Sequence, residues 1–204
     1  MVSCTRWSEL VQSLMFHVDV SRAAGVPSEF QAINGGQPVL IGTDDEDPTK
    51  LASFFENWPN GKTPLCRHLK NIIAKLEILA PDLREQGQKA CLVIITDGEA
   101  TDGDIFETIQ PLKDLPVWIV VRLCTDEASV VKYWNDVDKE LENQVDVLDD
   151  FIGEAKEVHQ FNSWLTYGDA LQKLREFGCS VRDLDMIDEG PLSLDSILTV
   201  CSYM

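Results

Sequence analysis

The sequence predicts an α/β fold: a doubly wound, mostly parallel sheet with helices on both faces, followed by a helical C-terminal extension. Three observations predict it. Residues 91–95 and 116–123 are apolar runs without polar alternation, which is how strands buried on both faces read. Stretches with helical spacing alternate with them, the order expected of a parallel sheet with crossover helices. From Phe151 onward only helical patterns remain, so the chain divides into a domain over 1–150 and a helical extension over 151–204.

Taken in order, Trp7, Leu10, Val11, Leu14, Met15 and Val18 recur at intervals of three and four, the apolar stripe of a helix that begins near Thr5 and ends by Gly25. Residues 28–33 and 39–41 are short strand candidates separated by Asn34-Gly35-Gly36, a tight-turn signal that predicts a hairpin. Asp44-Asp45-Glu46-Asp47 reads as a solvated loop in preference to a cation site, and Asp47-Pro48 as a helix start with proline in its first turn. That helix runs to about Asn57. Thr63-Pro64 repeats the start signal for a longer helix on Leu65, Leu69, Ile72, Ile73 and Leu76, expected to break at or before Pro81.

The strand over 91–95 ends in Thr96-Asp97-Gly98-Glu99, which places Asp97 at its carboxyl end, where open parallel sheets bind ligands. Asp97-Gly98 is equally good turn chemistry. Asp102 or Asp104 supplies the cap or first-turn anion of a helix carrying Ile105, Ile109 and Leu112. After the strand over 116–123, Thr125 caps a helix with Val130, Trp134, Val137 and Leu141 on one face, and residues 145–148 form a weaker final strand. Helices follow over 151–160, 167–177 and 192–200, with an acidic link over 182–189. The last helix docks on the domain or on a partner, with docking in cis as the default.

Acidic residues outnumber basic ones by 35 to 17, and the formal charge of -18 repels phosphate backbones and anionic membranes. Nucleic acid and membrane are therefore excluded as expected partners. No apolar run reaches membrane-spanning length, and no charged segment followed by an apolar one opens the chain. The six cysteines form no C-x-x-C pair and read as reduced thiols of a cytoplasmic protein, Cys91 and Cys124 as small hydrophobes in or beside strands. There is no G-x-S-x-G elbow, H-E-x-x-H helix, G-x-G-x-x-G loop or zinc spacing, so no enzyme is expected. Gly61-Lys62-Thr63 is not a phosphate loop, because Glu56 stands where that pattern needs glycine. The carboxylates at 97, 99, 102 and 104 do not fit an EF-hand loop, which needs glycine where Asp102 stands.

The segment VIITDGEATD over residues 93–102 resembles the strand and loop of von Willebrand factor A domains, and Gly61-Lys62-Thr63-Pro64-Leu65 is similar to that family's G-x-T-P-L segment. The resemblance covers residues 1–150. It implies a Rossmann-like domain that binds a protein partner through a metal-ion-dependent adhesion site. There Mg²⁺, with Mn²⁺ as a substitute, would be held in part by Thr63 and Asp97 and would take an acidic side chain of the partner. Capping by Thr63 is compatible with such a role, because a hydroxyl oxygen has two lone pairs.

The family's first strand and its D-x-S-x-S loop would fall before Met1, and Ser3 is not one of those serines. One hydroxyl and one carboxylate are few for tight Mg²⁺ binding. Either upstream sequence supplies that central strand, or the sheet closes up, receives a strand from a partner, or keeps an open edge. Two further readings stand beside the first: a metal-independent scaffold that binds through its acidic surface or C-terminal helices, and, more remotely, a hydrolase or transferase on the same fold.

Overall fold

The computed structural model describes residues 6–44, 46–56, 61–125, 127–141, 145–179 and 181–203. It is a mixed α/β fold with a three-stranded parallel sheet and a separate antiparallel pair. Two compact units are present, Met1–Asn71 with Ala100–Thr108 and Ile72–Glu99 with Ile109–Met204. Residues 151–203 belong to the unit that holds the parallel sheet.

In the first unit, helix α1 (Arg6–Ala24) precedes β1 (Ser28–Phe30) and β2 (Val39–Ile41), which pair antiparallel with Ser28 opposite Ile41. Helix α2 (Pro48–Glu56) follows, its first turn held by Asp47, whose Oδ1 accepts the Thr49 N–H at 3.0 Å. Val18, Val39, Ile41 and Leu51 form the core here, with Phe30, Phe54 and Phe55 packed around it. Gly42 has φ +74°, and a Cβ there would stand 2.5 Å from the Val26 carbonyl oxygen, so only glycine fits. The loop before α2 was expected to be solvated, and Glu46 in it accepts a bond from Arg22 Nε at 2.8 Å; Asp45 lies outside the described residues.

Helix α3 (Leu65–Glu85) corrects one expectation, for it runs through Pro81 instead of ending there. Proline removes a single N–H, and a helix with a long buried stripe of Leu69, Ile73, Leu76 and Ala80 continues past that loss.

In the second unit β3 (Ala90–Thr96), β4 (Val117–Leu123) and β5 (Val145–Leu148) lie parallel in that order, with Ala90 opposite Val117 and Ile119 opposite Val145. The central β4 is buried along its whole length. β3 is not, although its apolar run predicts burial on both faces: Cys91 is exposed and Leu92, Val93 and Ile95 are half-buried. The reason is position, because β3 has one strand neighbour among the described residues and β4 has two. Cys91, expected as a small hydrophobe in or beside a strand, lies in β3 and is exposed.

Helix α4 (Ile105–Ile109) and a 3-10 turn precede β4; α5 (Ala128–Leu141) buries the predicted Val130, Trp134, Val137 and Leu141. Beyond β5 come α6 (Phe151–Phe161), α7 (Asp169–Glu176), α8 (Arg182–Asp185) and α9 (Leu194–Tyr203). The stretch over 182–189, expected as an acidic link, contains α8 and sends Leu184 and Ile187 into a core with Val158, Leu165, Tyr167, Leu171 and Val200. Apolar residues one turn apart outweighed the surrounding charge.

Candidate functional site

Thr63 lies in the first unit, two residues before α3. Its N–H donates to Thr101 Oγ1 at 3.0 Å, and its carbonyl accepts the Thr101 N–H at 2.9 Å. The cap of α3 comes from further along the chain: Asp102 accepts the N–H of Cys66 at 3.0 Å and of Arg67 at 2.9 Å. Those two N–H groups are orphans of the first turn, and a carboxylate there also meets the positive end of the helix. Bonds from Arg67 and Cys66 hold the Asp102 carboxyl below its ordinary value, although burial alone would raise it. The expected choice between Asp102 and Asp104 as cap of α4 resolves to Asp104, which accepts the Phe106 N–H at 2.8 Å.

Asp97 lies in the second unit, exposed at the carboxyl end of β3. The turn that presents it is pinned from both sides: Gly98 N–H donates to Thr96 Oγ1 at 3.2 Å, and the buried Trp134 donates from Nε1 to the Gly98 carbonyl at 3.2 Å. A rigid strand thus delivers a carboxylate to solvent, as the sequence suggests. Glu99, in the same turn, is exposed as well.

A second constellation, missed in the sequence, is buried in the second unit around Arg175 of α7, whose side chain is 1% exposed. Nη2 and Nε donate to the two oxygens of Asp146 on β5 at 2.8 and 3.3 Å, Nη1 to Glu154 of α6 at 2.8 Å, and Nη2 also to Asp188 at 3.0 Å. Beside it, Arg122 of β4 donates to Glu176 at 2.7 Å, and Gln172 joins Glu176 to the Tyr167 hydroxyl. Burial acts against the Arg175 cation, but Asp146, Asp188 and Glu154 hold it charged well above its ordinary range. One guanidinium cannot balance three carboxylates away from water. Burial accordingly raises Asp146 and pushes Glu154 up to about 8, against the pull of Arg175 in both cases.

Oxygens of Glu154, Glu157 and Asp188 lie within 4.8 Å of one another, a spacing a cation could bridge. Three of these oxygens are already engaged. Glu154 Oε1 accepts the Asp149 N–H at 2.7 Å, while Glu154 Oε2 and Asp188 Oδ2 are bonded to Arg175. Asp188 Oδ1 is buried with no hydrogen-bond partner among the described residues, and the bonds of Arg175 make the arrangement an ion-pair network joining β5, α6 and α7. Its signal in the sequence was a charge inside each of two apolar strands, Arg122 in β4 and Asp146 in β5, since a buried charge needs a partner.

No helix among the described residues is long and apolar enough to cross a membrane. Comparison with protein families, curated proteins and solved structures finds no match to this chain.

Proposed function

We propose that this chain is a non-enzymatic protein-interaction domain of the von Willebrand factor A type, with a doubly wound sheet that is incomplete on one side of β3. The observation that supports this reading is the state of β3. It is an apolar strand that ends in an exposed carboxylate, Asp97, and it has no strand neighbour on the edge away from β4 among the described residues. An apolar strand with an open edge is a template for an added strand. The metal-dependent part of the reading rests on the resemblance alone. By that resemblance Thr63 and Asp97 would each supply an oxygen to Mg²⁺ or Mn²⁺, and the remaining ligands would come from the family's D-x-S-x-S loop on an added strand. In that role a hard cation with few protein charges around it keeps a coordination position for a partner's carboxylate.

The test is complementation. A synthetic peptide with an apolar strand ending in D-x-S-x-S is added to the chain with Mg²⁺ or with chelator, and thermal unfolding is followed. The peptide should raise the midpoint, Mg²⁺ should raise it further, and Asp97→Ala should abolish the Mg²⁺ increment while leaving the peptide effect. At about 100 times its dissociation constant a ligand adds about 2.7 kcal/mol, roughly 5–11 °C at this chain length. A chain indifferent to both additions refutes the reading. The metal-independent scaffold would then stand, favoured by Leu194 and Leu198, which are 73% and 63% exposed one turn apart on α9.

A further inference from the structure

We infer that, when no partner strand is present, the edge of β3 that has no strand neighbour among the described residues pairs antiparallel with β3 of a second copy of this chain, about a two-fold axis through Val93. This rests on the interaction reading only in taking β3 as a binding edge, and it names an occupant that the reading does not.

The direction of the backbone groups fixes what the edge offers. The Ala90 N–H donates to the Pro116 carbonyl at 2.9 Å, and the Thr96 carbonyl accepts the Cys124 N–H at 2.9 Å. In a strand the N–H and C=O of one residue point to the same side, and successive residues alternate. Ala90, Leu92, Ile94 and Thr96 therefore serve β4, while the N–H and C=O of Cys91, Val93 and Ile95 face the open edge. An antiparallel partner pairs residue with opposite residue, and a two-fold axis at Val93 sets edge-facing residues against edge-facing residues. Val93 of one copy meets Val93 of the other, and Cys91 meets Ile95. All three then exchange backbone hydrogen bonds across the interface.

Charge complementarity selects this register and this occupant. Lys89 precedes the strand, Asp97 follows it, and both are exposed. With Val93 on the axis, Lys89 of each copy stands opposite Asp97 of the other, so the symmetric pairing closes with an ion pair at both ends. A two-fold interface uses every such contact twice. Opposite charges directly across an antiparallel pair are favourable, and like charges there are unfavourable. An added partner strand would take the same edge, so strand binding and self-pairing exclude one another.

The experiment is sedimentation equilibrium of the full chain over a range of concentrations, for the parent, Lys89→Glu and the exchange Lys89→Glu/Asp97→Lys. Both positions are exposed, and circular dichroism checks that each variant is folded. The parent should pass from monomer to dimer as concentration rises. Lys89→Glu sets two pairs of like charges face to face and should weaken the dimer by about tenfold. The exchange restores opposite charges and should return the parent's constant. A parent that is monomeric at every concentration overturns the inference, as does a folded Lys89→Glu that dimerises like the parent or an exchange that fails to restore. None of these outcomes touches the complementation test, which needs no dimer, and a dimer indifferent to Mg²⁺ and to the peptide would refute the partner reading while leaving self-pairing intact.

Discussion

Arg175 and Asp146 meet as fork to fork, Nη2 to Oδ1 at 2.8 Å and Nε to Oδ2 at 3.3 Å, both side chains almost wholly removed from water. Two parallel bonds from a planar guanidinium fix orientation as well as distance. This pair secures α7 to β5, and the bonds of the same guanidinium to Glu154 and Asp188 bring in α6 and the segment after α8. Residues 151–203 thereby share a polar centre with the parallel sheet in addition to their own apolar core.

Removing that centre's cation should be costly. Arg175→Met leaves Asp146, Glu154 and Asp188 buried without their counter-charge, and loss of one partner of a buried pair costs about 3–5 kcal/mol. Arg175→Lys keeps a charge but not the fork, so it should fall between Met and the parent. Urea denaturation followed by circular dichroism measures both, and a Met variant as stable as the parent would show that the network carries no stability.

The acids around this centre should make stability fall as pH rises. Burial, then Asp146 and Glu189, pushes Asp185 up to about 8; burial, then Glu189, Asp146 and Asp188, pushes Asp138 up to about 6. Their ordinary value is 3.8, so between about pH 4 and pH 8 the folded state holds protons that the unfolded chain has released. Where the folded state binds more protons, stability declines with rising pH. The urea midpoint should be higher at pH 5 than at pH 8. Asp185→Asn, uncharged throughout, should match the parent near pH 4 and exceed it at pH 8; equal slopes for variant and parent would exclude Asp185 as a source.

In the first unit the contact to break is Asp102 on the start of α3. Asp102→Ala orphans the N–H groups of Cys66 and Arg67, and loss of such a cap costs about 0.5–2 kcal/mol. Asp102→Asn keeps one acceptor oxygen and should cost less. Because the folded carboxyl lies below 3.8, this contribution is complete above that pH and disappears as pH falls through the lowered value. The Ala variant should therefore differ from the parent at pH 6 and converge with it in strong acid, as read by hydrogen exchange of the Cys66 and Arg67 amides.

Much of the fold was legible because periodicity is local. The stripe of Val130, Trp134, Val137 and Leu141 is buried as predicted, the apolar run before Asp97 is a strand, and Asp47-Pro48 starts a helix. What was missed depends on residues distant in the chain. The cap of α3 comes from Asp102, some 36 positions away, so Thr63-Pro64 could mark the helix start without revealing its anion. Arg175 reads as one polar residue on a short amphipathic helix until Asp146, 29 positions earlier, is placed beside it. The exposure of Cys91 depends on which strand lies next to β3, and apolar composition does not carry that information.

Cys91 also meets a residue far along the chain, and the contact can be resolved into its parts. Gly178 follows α7 with φ +93°, and a Cβ built on it would stand 2.0 Å from Cys91 Sγ and 3.3 Å from Cys91 Cβ. Gly178→Ala therefore meets two costs, a left-handed backbone that side chains rarely adopt and an overlap with the thiol. The backbone alone costs about 1–3 kcal/mol. Cys91→Ala removes the sulfur and leaves the backbone strain unchanged, so the double variant should recover part of the loss and not all of it. Residues in contact couple by about 0.5–3 kcal/mol, which a double-mutant cycle of urea midpoints resolves. Strict additivity would mean that Sγ rotates away at no cost and that backbone conformation alone demands glycine at position 178.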